Sequence, residues 1–524
     1  MNYRLRIPDW ILLLACCAFF FFWQLSAFGL LGADEPRYAQ VAREMLERGD
    51  WITPTLGGGP WLEKPPLYYW QAMAAYKIFG VSDWAARLPS AIDATAMAFA
   101  VYWFLRRFRP GFTLDGALAV TCSAAIVGFA RAASTDMPLA ATFTIAMMFW
   151  FAWFESGSRA FLAGSYVFLG LAMLAKGPVA PFLALAIVGI FAVTQLGWKI
   201  IWKSLWVPGT LLACLVALPW YVLVQIRNPQ FFRVFILEHN LARFGTNIFH
   251  HPEPFWYYVP VTLLGWLPWV AFVVASLVWA ARKLRRQDAD VLNIFLLIWM
   301  VVVVAFFSIS QSKLPGYILP AIPPGILLLA NYLREKVLGR PHPVLVVLHA
   351  GSSALIVFAA LVLRYTLLQH RFIWSAAVTA PLVAAIVVAA VIVVFLFKTG
   401  FAGLRMATLV PAVVALTVAL RFGAQPLNDQ LSARAVSDAL AQVSPRNLPV
   451  AVVLVSRELE FGLQFYRDQP IPRFELGQAP VGEHLVVARA GFQKAFARDV
   501  PGRKIMQLGG FPEQKVEFFY VSAR

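Results

Sequence analysis

The sequence predicts a polytopic α-helical membrane protein, and three observations carry that prediction. First, 60% of the 524 residues are hydrophobic and only 14% are charged, whereas soluble globular chains carry about 25% charged residues. Second, the mean hydropathy is +0.68. Third, apolar runs of about twenty residues succeed one another, each long enough to cross a hydrocarbon core ~30 Å thick. An outer-membrane barrel would instead show short segments of alternating polarity.

Taken in order, the apolar runs give thirteen candidate spans, at roughly 9–31, 86–105, 112–130, 138–154, 161–176, 179–196, 205–225, 256–280, 291–309, 317–333, 343–363, 375–397 and 405–420. The first follows Arg4 and Arg6 and exceeds the apolar core of a usual signal peptide, so it reads as an uncleaved signal anchor. Cys16, Cys17, Cys122 and Cys214 all lie inside apolar runs, which offers neither a disulfide framework nor a cysteine metal site.

The net charge of +17 is explained by position. One set of connections is short and basic, including Arg106/Arg107/Arg109, Arg159, Lys199/Lys203, Arg282/Lys283/Arg285/Arg286, Arg334/Lys336/Arg340 and Lys398/Arg405. It alternates with a less basic set across every span. The lysine and arginine bias places the basic set and the N-terminus in the cytoplasm. The charge is thus a topology signal, and no nucleic-acid partner is expected. With thirteen spans, the C-terminal segment falls outside, in the periplasm of a bacterial inner membrane.

The organisation expected is a membrane unit over 1–423 and a small periplasmic α/β unit over 424–524. The latter has a polar helical stretch, "LNDQLSARAVSDALAQV", then strand-like "PVAVVLVS", "EHLVVARA" and "KVEFFYVSA". Two outward loops are long, 32–85 and 227–255, and long ordered loops carry function disproportionately. In "EPRYAQVAREMLERGDW", Tyr38, Val41, Ala42, Met45 and Leu46 recur at helical spacing, as in an amphipathic helix at the membrane surface. "PPLYYWQAMAAYKIFG" reads as a second, rich in interfacial aromatics.

The outward ends concentrate charge: Asp34, Glu35 and Arg37; Glu63 and Lys64; Asp136; Glu238, His239 and Arg243; His250 and His251; Lys313 and Tyr317. Charge beside lipid is costly unless paired or hydrated, so these residues predict one polar cavity at the membrane surface. Arg37, Lys64, Arg243, Lys313 and Tyr317 suit an anionic group, arginine as a bidentate fork and lysine as a point charge. Asp34 and Asp136 suit a base, or a group that orients an acceptor or a sugar. Together they fit a membrane-embedded phosphate with a reactive partner, as in a polyprenyl-phosphate sugar donor. The plainer readings are an Asp34 that caps the helix beginning at Pro36, and a Lys313 and Tyr317 that merely anchor a span end. Lys176, in "LAKGP", is read as an anchor of that kind and left out of the site. Asp93, inside the second span, is expected to hydrogen-bond another helix.

"GADEPRYAQVAREMLERGDWITPTLGGGPWLEKPPLYYW" resembles the first periplasmic loop of GT-C glycosyltransferases of the lipid A aminoarabinose transferase type, relatives of the protein O-mannosyltransferases. The resemblance continues in "STDMP", "LAKGPVAP", "EHNLARF", "HHPEPFWYYVP" and "SKLPGYILP", in order to about residue 335. It implies a GT-C fold, with Asp34 as the reaction-centre acid and Asp136 nearby. It implies that Lys64, Arg243 and Tyr317 contact the donor phosphate with support from Arg37. It also implies a divalent metal, zinc in the first instance, near Glu63 and His239. The activity implied is transfer of 4-amino-4-deoxy-L-arabinose from undecaprenyl phosphate to a lipid A phosphate. Transfer of another sugar, such as mannose, to a protein or glycan hydroxyl is the alternative within the enzyme class. A lipid transporter or flippase is the alternative outside it, although no internal repeat of the transporter kind is visible.

Overall fold

A computed structural model describes residues 8–195, 197, 199–245, 253–336, 339–369, 374–444 and 448–523. Each of the thirteen apolar segments contains helix there, the first over Asp9–Phe22 only. Eight helical stretches are long and apolar enough to cross a membrane, or up to ten if two bent pairs, Thr113–Ala130 and Tyr258–Arg285, count as one span each. Asp9–Phe22 and Val179–Thr194 are shorter apolar helices. The longest stretch, Ala376–Leu431, runs for 56 residues but turns at the 3₁₀ segment Gly400–Gly403. At 1.5 Å per residue a straight rod of that length would be about 84 Å long. The helices on either side of the turn both pack against Pro343–Gln369, so the chain doubles back there.

Polar contacts sort the span ends onto two faces. On one, Arg109 bridges Glu155 (2.7 Å) and Asp290 (3.1 Å), Arg405 pairs with Asp115, and Lys283 with Glu335. On the other, Glu35 meets Arg87 and Ala133, and Asp136 meets Lys176. Arg109, Lys283 and Arg405 of the first group belong to three of the basic connections.

The first long loop is a folded structure. Helix Asp34–Arg48 buries Tyr38, Val41, Ala42 and Met45, and it ends where Gly49 takes a left-handed φ of 63°. That buried face packs on Tyr68, Tyr69, Ala72 and Met73 of helix Leu67–Phe79. Between them, Thr55–Leu56 pairs with Gly59–Pro60 around Gly57 and Gly58, both at positive φ. This is the tight hairpin that such glycines permit. The Glu44 carboxylate accepts from both glycine N–H groups, at 2.7 and 3.2 Å. The hairpin tip is thereby clamped to the first helix, which fixes where Trp61, Glu63 and Lys64 emerge.

Under these elements lies a buried ion pair. Arg87, fully buried on helix Asp83–Phe108, donates to both oxygens of Glu35 and to the carbonyls of Leu25, Phe28 and Gly29. Glu35 also accepts from the N–H groups of Leu31 and Ala133. Glu35 is therefore a structural tie. Asp93 meets its expectation, accepting from Gln71 Nε2 on the neighbouring helix at 3.0 Å.

The C-terminal segment forms a four-stranded mixed sheet in the order Val450–Val453, His484–Arg489, Val516–Val521, Ile505–Phe511. One face packs on helices Ala433–Val443 and Arg457–Arg467 through Leu440, Leu459 and Leu463. The other packs on Phe474, Phe496 and Val500. Burial on both faces explains why its inner strands read as unbroken apolar runs. The polar helical stretch divides at Ser432 into two helices. The first of these continues the helical run from Leu404 without a break at residue 423.

Candidate active site

Glycines let the chain close around the site. The helix Arg159–Lys176 ends at Gly177, φ +90°, where a Cβ would lie 2.6 Å from the Phe235 ring. A Cβ on Gly316 would lie 2.6 Å from the Asp136 carboxyl carbon. "AKGP" and "LPGY" are thus close-approach sites that let two other segments reach the same cavity.

That cavity, about 380 Å³, has a polar end and an apolar end. Glu63, Lys64, Lys176, His239, Arg243 and Tyr317 form the polar end, while Val179, Phe182, Phe235, Phe244, Phe306 and Phe307 line the rest. Phe182 and Leu241 remain largely exposed, so the apolar end is open at the side of the bundle. The Lys176 ammonium lies 4.3 Å from the Tyr317 ring centroid and pairs with Asp136; the Arg243 guanidinium lies 5.9 Å from the same ring. Lys176 sits at a helix C-terminus and Asp136 in a helix first turn, each favoured by the helix dipole there.

Lys64 is buried, with only 8% of its surface exposed. Burial, then the positive charges of Arg243 and Lys176, pull its ammonium down to about 7, with Glu63 opposing and Arg37 adding to the fall. Lysine and arginine side chains gathered at the buried end of one cavity suit an anionic ligand. Burial likewise lowers the His239 imidazole, aided by Lys64 and Arg243 and opposed by Glu63.

Beside this cavity stands a second group. Asp34 is the first residue of its helix and its side chain caps nothing. It pairs with Arg37 and is half exposed. Three rings surround the Arg37 guanidinium, Tyr38 at 5.1 Å, Trp61 at 5.2 Å and Phe461 at 5.8 Å. Phe461 comes from the C-terminal helix Arg457–Arg467. Burial works against the Arg37 charge, but Tyr38, Asp34 and Glu63 together hold it firmly protonated.

The structure therefore brings together Lys64, Arg243, Tyr317, Glu63 and His239, with Asp34, Arg37 and Asp136 adjoining. Lys313 stands apart. It is buried, donates to the Ser310 carbonyl at 2.6 Å, and does not line the cavity. Lys176, set aside as an anchor in the sequence, does line it. The signal that could have found it is the Gly-Pro that follows, since only a glycine admits the Phe235 ring.

Glu63 and His239 approach to 3.6 Å. Among the described residues no third His, Cys, Asp or Glu joins them to form a metal site. Two protein donors are fewer than the three of a catalytic zinc centre. His250 and His251 lie outside the described residues.

Residues 10–235 match the family described as dolichyl-phosphate-mannose-protein mannosyltransferase. The chain is 34% identical over 343 residues to the undecaprenyl phosphate-alpha-4-amino-4-deoxy-L-arabinose arabinosyl transferase of Edwardsiella ictaluri, covering 63% of this chain and 60% of that one. It is 32% identical over 362 residues to the corresponding transferase 1 of Pseudomonas fluorescens, covering 67% and 62%. The chain thus spans about three fifths of the length of these relatives. In structure it is similar to ArnT from Cupriavidus metallidurans bound to undecaprenyl phosphate, with a TM-score of 0.78, 22% identity and 97% of both chains covered. It is also similar to the archaeal oligosaccharyltransferase AglB from Archaeoglobus fulgidus, with a TM-score of 0.52, 12% identity, and 94% of this chain and 70% of that one covered.

Proposed function

We propose that this multi-pass chain, which has the GT-C fold and is related to the undecaprenyl-phosphate aminoarabinose transferases, transfers a sugar from a polyprenyl phosphate to an acceptor at the membrane surface. The observation that carries the reading is the two-ended cavity, with Lys64, Lys176, Arg243 and Tyr317 at one end and an apolar, side-opening wall at the other. A lipid phosphate has that polarity. The resemblance and the relatives' names favour undecaprenyl phosphate as carrier, 4-amino-4-deoxy-L-arabinose as sugar and the phosphate of lipid A as acceptor. A bacterial inner membrane follows, with the N-terminus cytoplasmic and the site periplasmic.

In this mechanism the acceptor oxygen attacks the anomeric carbon from the face opposite the leaving group. The bond from that carbon to the phosphate oxygen breaks, and the electron pair leaves with undecaprenyl phosphate. Lys64, Lys176 and Arg243 stabilise the charge that develops on the departing phosphate. A phosphate acceptor is already ionised and needs no base, so Asp34 and Asp136 orient it and balance positive charge on the sugar. A hydroxyl acceptor would instead give its proton to Asp34. In the same reading Glu63 and His239 would hold a divalent cation, zinc in the first instance, which would supply Lewis-acid stabilisation of negative charge. Metal content measured by elemental mass spectrometry, with and without undecaprenyl phosphate, tests that point.

The test of the function is the mass of lipid A incubated with purified chain and the aminoarabinose donor, alongside Asp34→Asn. A gain of one sugar in wild type that disappears in the variant supports transferase and acceptor together. Bound donor without a gain redirects the acceptor to a protein or glycan hydroxyl. Unaltered lipid movement in the variant, with no transfer by either form, favours a flippase.

A further inference from the structure

Among the described residues, a second cavity lies away from the site. It measures about 840 Å³ and sits between helices Val270–Arg285, Ile322–Lys336 and Pro343–Gln369. Its position along the membrane follows from helix length. Tyr317 and Lys336 stand near opposite ends of the 22-residue stretch Pro315–Lys336. At 1.5 Å per residue that stretch is about 33 Å long, one hydrocarbon thickness. The mouth of this cavity, where Lys336 lies, therefore faces the other leaflet.

The cavity has two chemistries. Val274, Val278, Leu345 and Leu348 line its wall, and Val278 and Leu348 are about half exposed. Arg282, Arg286 and Lys336 stand at its mouth with Lys283, Asp288 and Glu335. Glu335 is taken by Lys283 at 2.7 Å, and the Lys283 ammonium also lies 5.0 Å from the Trp279 ring. Among the described residues no ion pair satisfies Arg282, Arg286 or Lys336. Three unpaired cations against the single remaining acid, Asp288, leave the mouth positive. A topology signal needs cations near the span ends; it does not need them gathered on the lip of an apolar groove.

We propose that this groove binds an anionic glycerophospholipid of the leaflet opposite the reaction site, its phosphate among Arg282, Arg286 and Lys336 and an acyl chain along Val274, Val278, Leu345 and Leu348. Basic clefts between spanning helices recognise anionic head groups in this way. The inference is independent of the transferase reading and requires only that the chain spans a membrane. Occupancy would also fill the gap between the two helices that flank the groove and Pro343–Gln369, on which the last two spans pack.

The experiment places the full chain in nanodiscs of equal phosphatidylglycerol and phosphatidylcholine, and counts retained lipids by native mass spectrometry. Wild type is expected to keep phosphatidylglycerol at least fivefold over phosphatidylcholine. The triple variant Arg282→Gln, Arg286→Gln, Lys336→Gln should keep one fewer phosphatidylglycerol per chain; Lys283, Arg285, Arg334 and Arg340 still mark the membrane side. Val278→Trp, which fills the groove and keeps every charge, should lose the same lipid, and it decides the matter if the triple variant does not fold. Retention unchanged in Val278→Trp overturns the proposal. So does full displacement of the lipid by millimolar inorganic phosphate, because the acyl chain would then contribute nothing.

Discussion

The Lys176 ammonium is shared between the Asp136 carboxylate and the face of Tyr317, 4.3 Å from the ring centroid. An ammonium held on one side by an anion and on another by a π-face keeps a free direction towards the cavity. Under the proposed function, removing it costs a charge-assisted contact to the donor phosphate, about 1.5–3 kcal/mol. Lys176→Met is therefore expected to lower kcat/KM roughly tenfold to a hundredfold. Adding Asp136→Asn should lower it by less than the product of the single effects, since the two groups share one pair. Steady-state kinetics on the four proteins of this cycle check both statements.

Lys64 gives a pH signature. Its free ammonium lies at about 7 because burial and the neighbouring Arg243 and Lys176 oppose its charge. A phosphodiester anion restores the charge, so binding takes up a proton above that pH. The sign follows: affinity is greatest below pH 7 and weakens above it, by up to about tenfold per unit until the bound-state value is reached. Calorimetry of donor binding between pH 6.5 and 9, in chelator, should show that slope. Lys64→Met should bind weakly and without the slope. A flat profile in wild type would mean that Lys64 does not face the phosphate.

The C-terminal segment enters the site through Phe461, whose ring lies 5.8 Å from the Arg37 guanidinium. A cation–π contact of this kind is worth about 0.5–2 kcal/mol. Phe461→Ala should reduce kcat by roughly twofold to thirtyfold, because Arg37 then loses one wall of its cage. Under the proposed function donor KM should hold, since Arg37 does not line the cavity of Lys64 and Arg243. Phe461→Tyr should restore the rate. A drop in KM-linked binding with kcat intact would place Arg37 on the donor instead.

Glu35→Gln or Arg87→Met leaves one member of a buried ion pair without its partner. Losses of this kind run to roughly 3–5 kcal/mol. The expected outcome is a large fall in thermal midpoint in detergent, with donor affinity unchanged in whatever folded protein remains. Normal stability in both variants would contradict the role assigned to the pair.

What the sequence disclosed followed the range of the interactions. Apolar runs and the periodicity of Tyr38, Val41, Ala42 and Met45 are local, and the structure has those helices. The strand Ile505–Phe511 leaves no legible pattern in the sequence, because Gly509 and Gly510 interrupt it and it is an exposed edge with a register shift. Lys176 and Lys313 both look like anchors at span ends. Only the fold turns the first towards Asp136, forty residues away, and the second back onto Ser310. Phe461 is more distant still from Arg37 in sequence, and nothing in an ordinary amphipathic helix marks one phenylalanine as a partner for an arginine at the site.

The helical run from Leu404 to Leu431 bears on how chimeras of this protein ought to be cut. A junction at residue 423 follows the change in composition but severs a helix. It would also separate Asn428, Arg434 and Tyr466 from Gly29, Asp83 and Leu30, which they hold by hydrogen bonds of 3.1, 2.8 and 2.7 Å. Segments that look modular on paper are here interlocked. A donor swap that exchanges the C-terminal portion has to bring its matching first outward loop along with it.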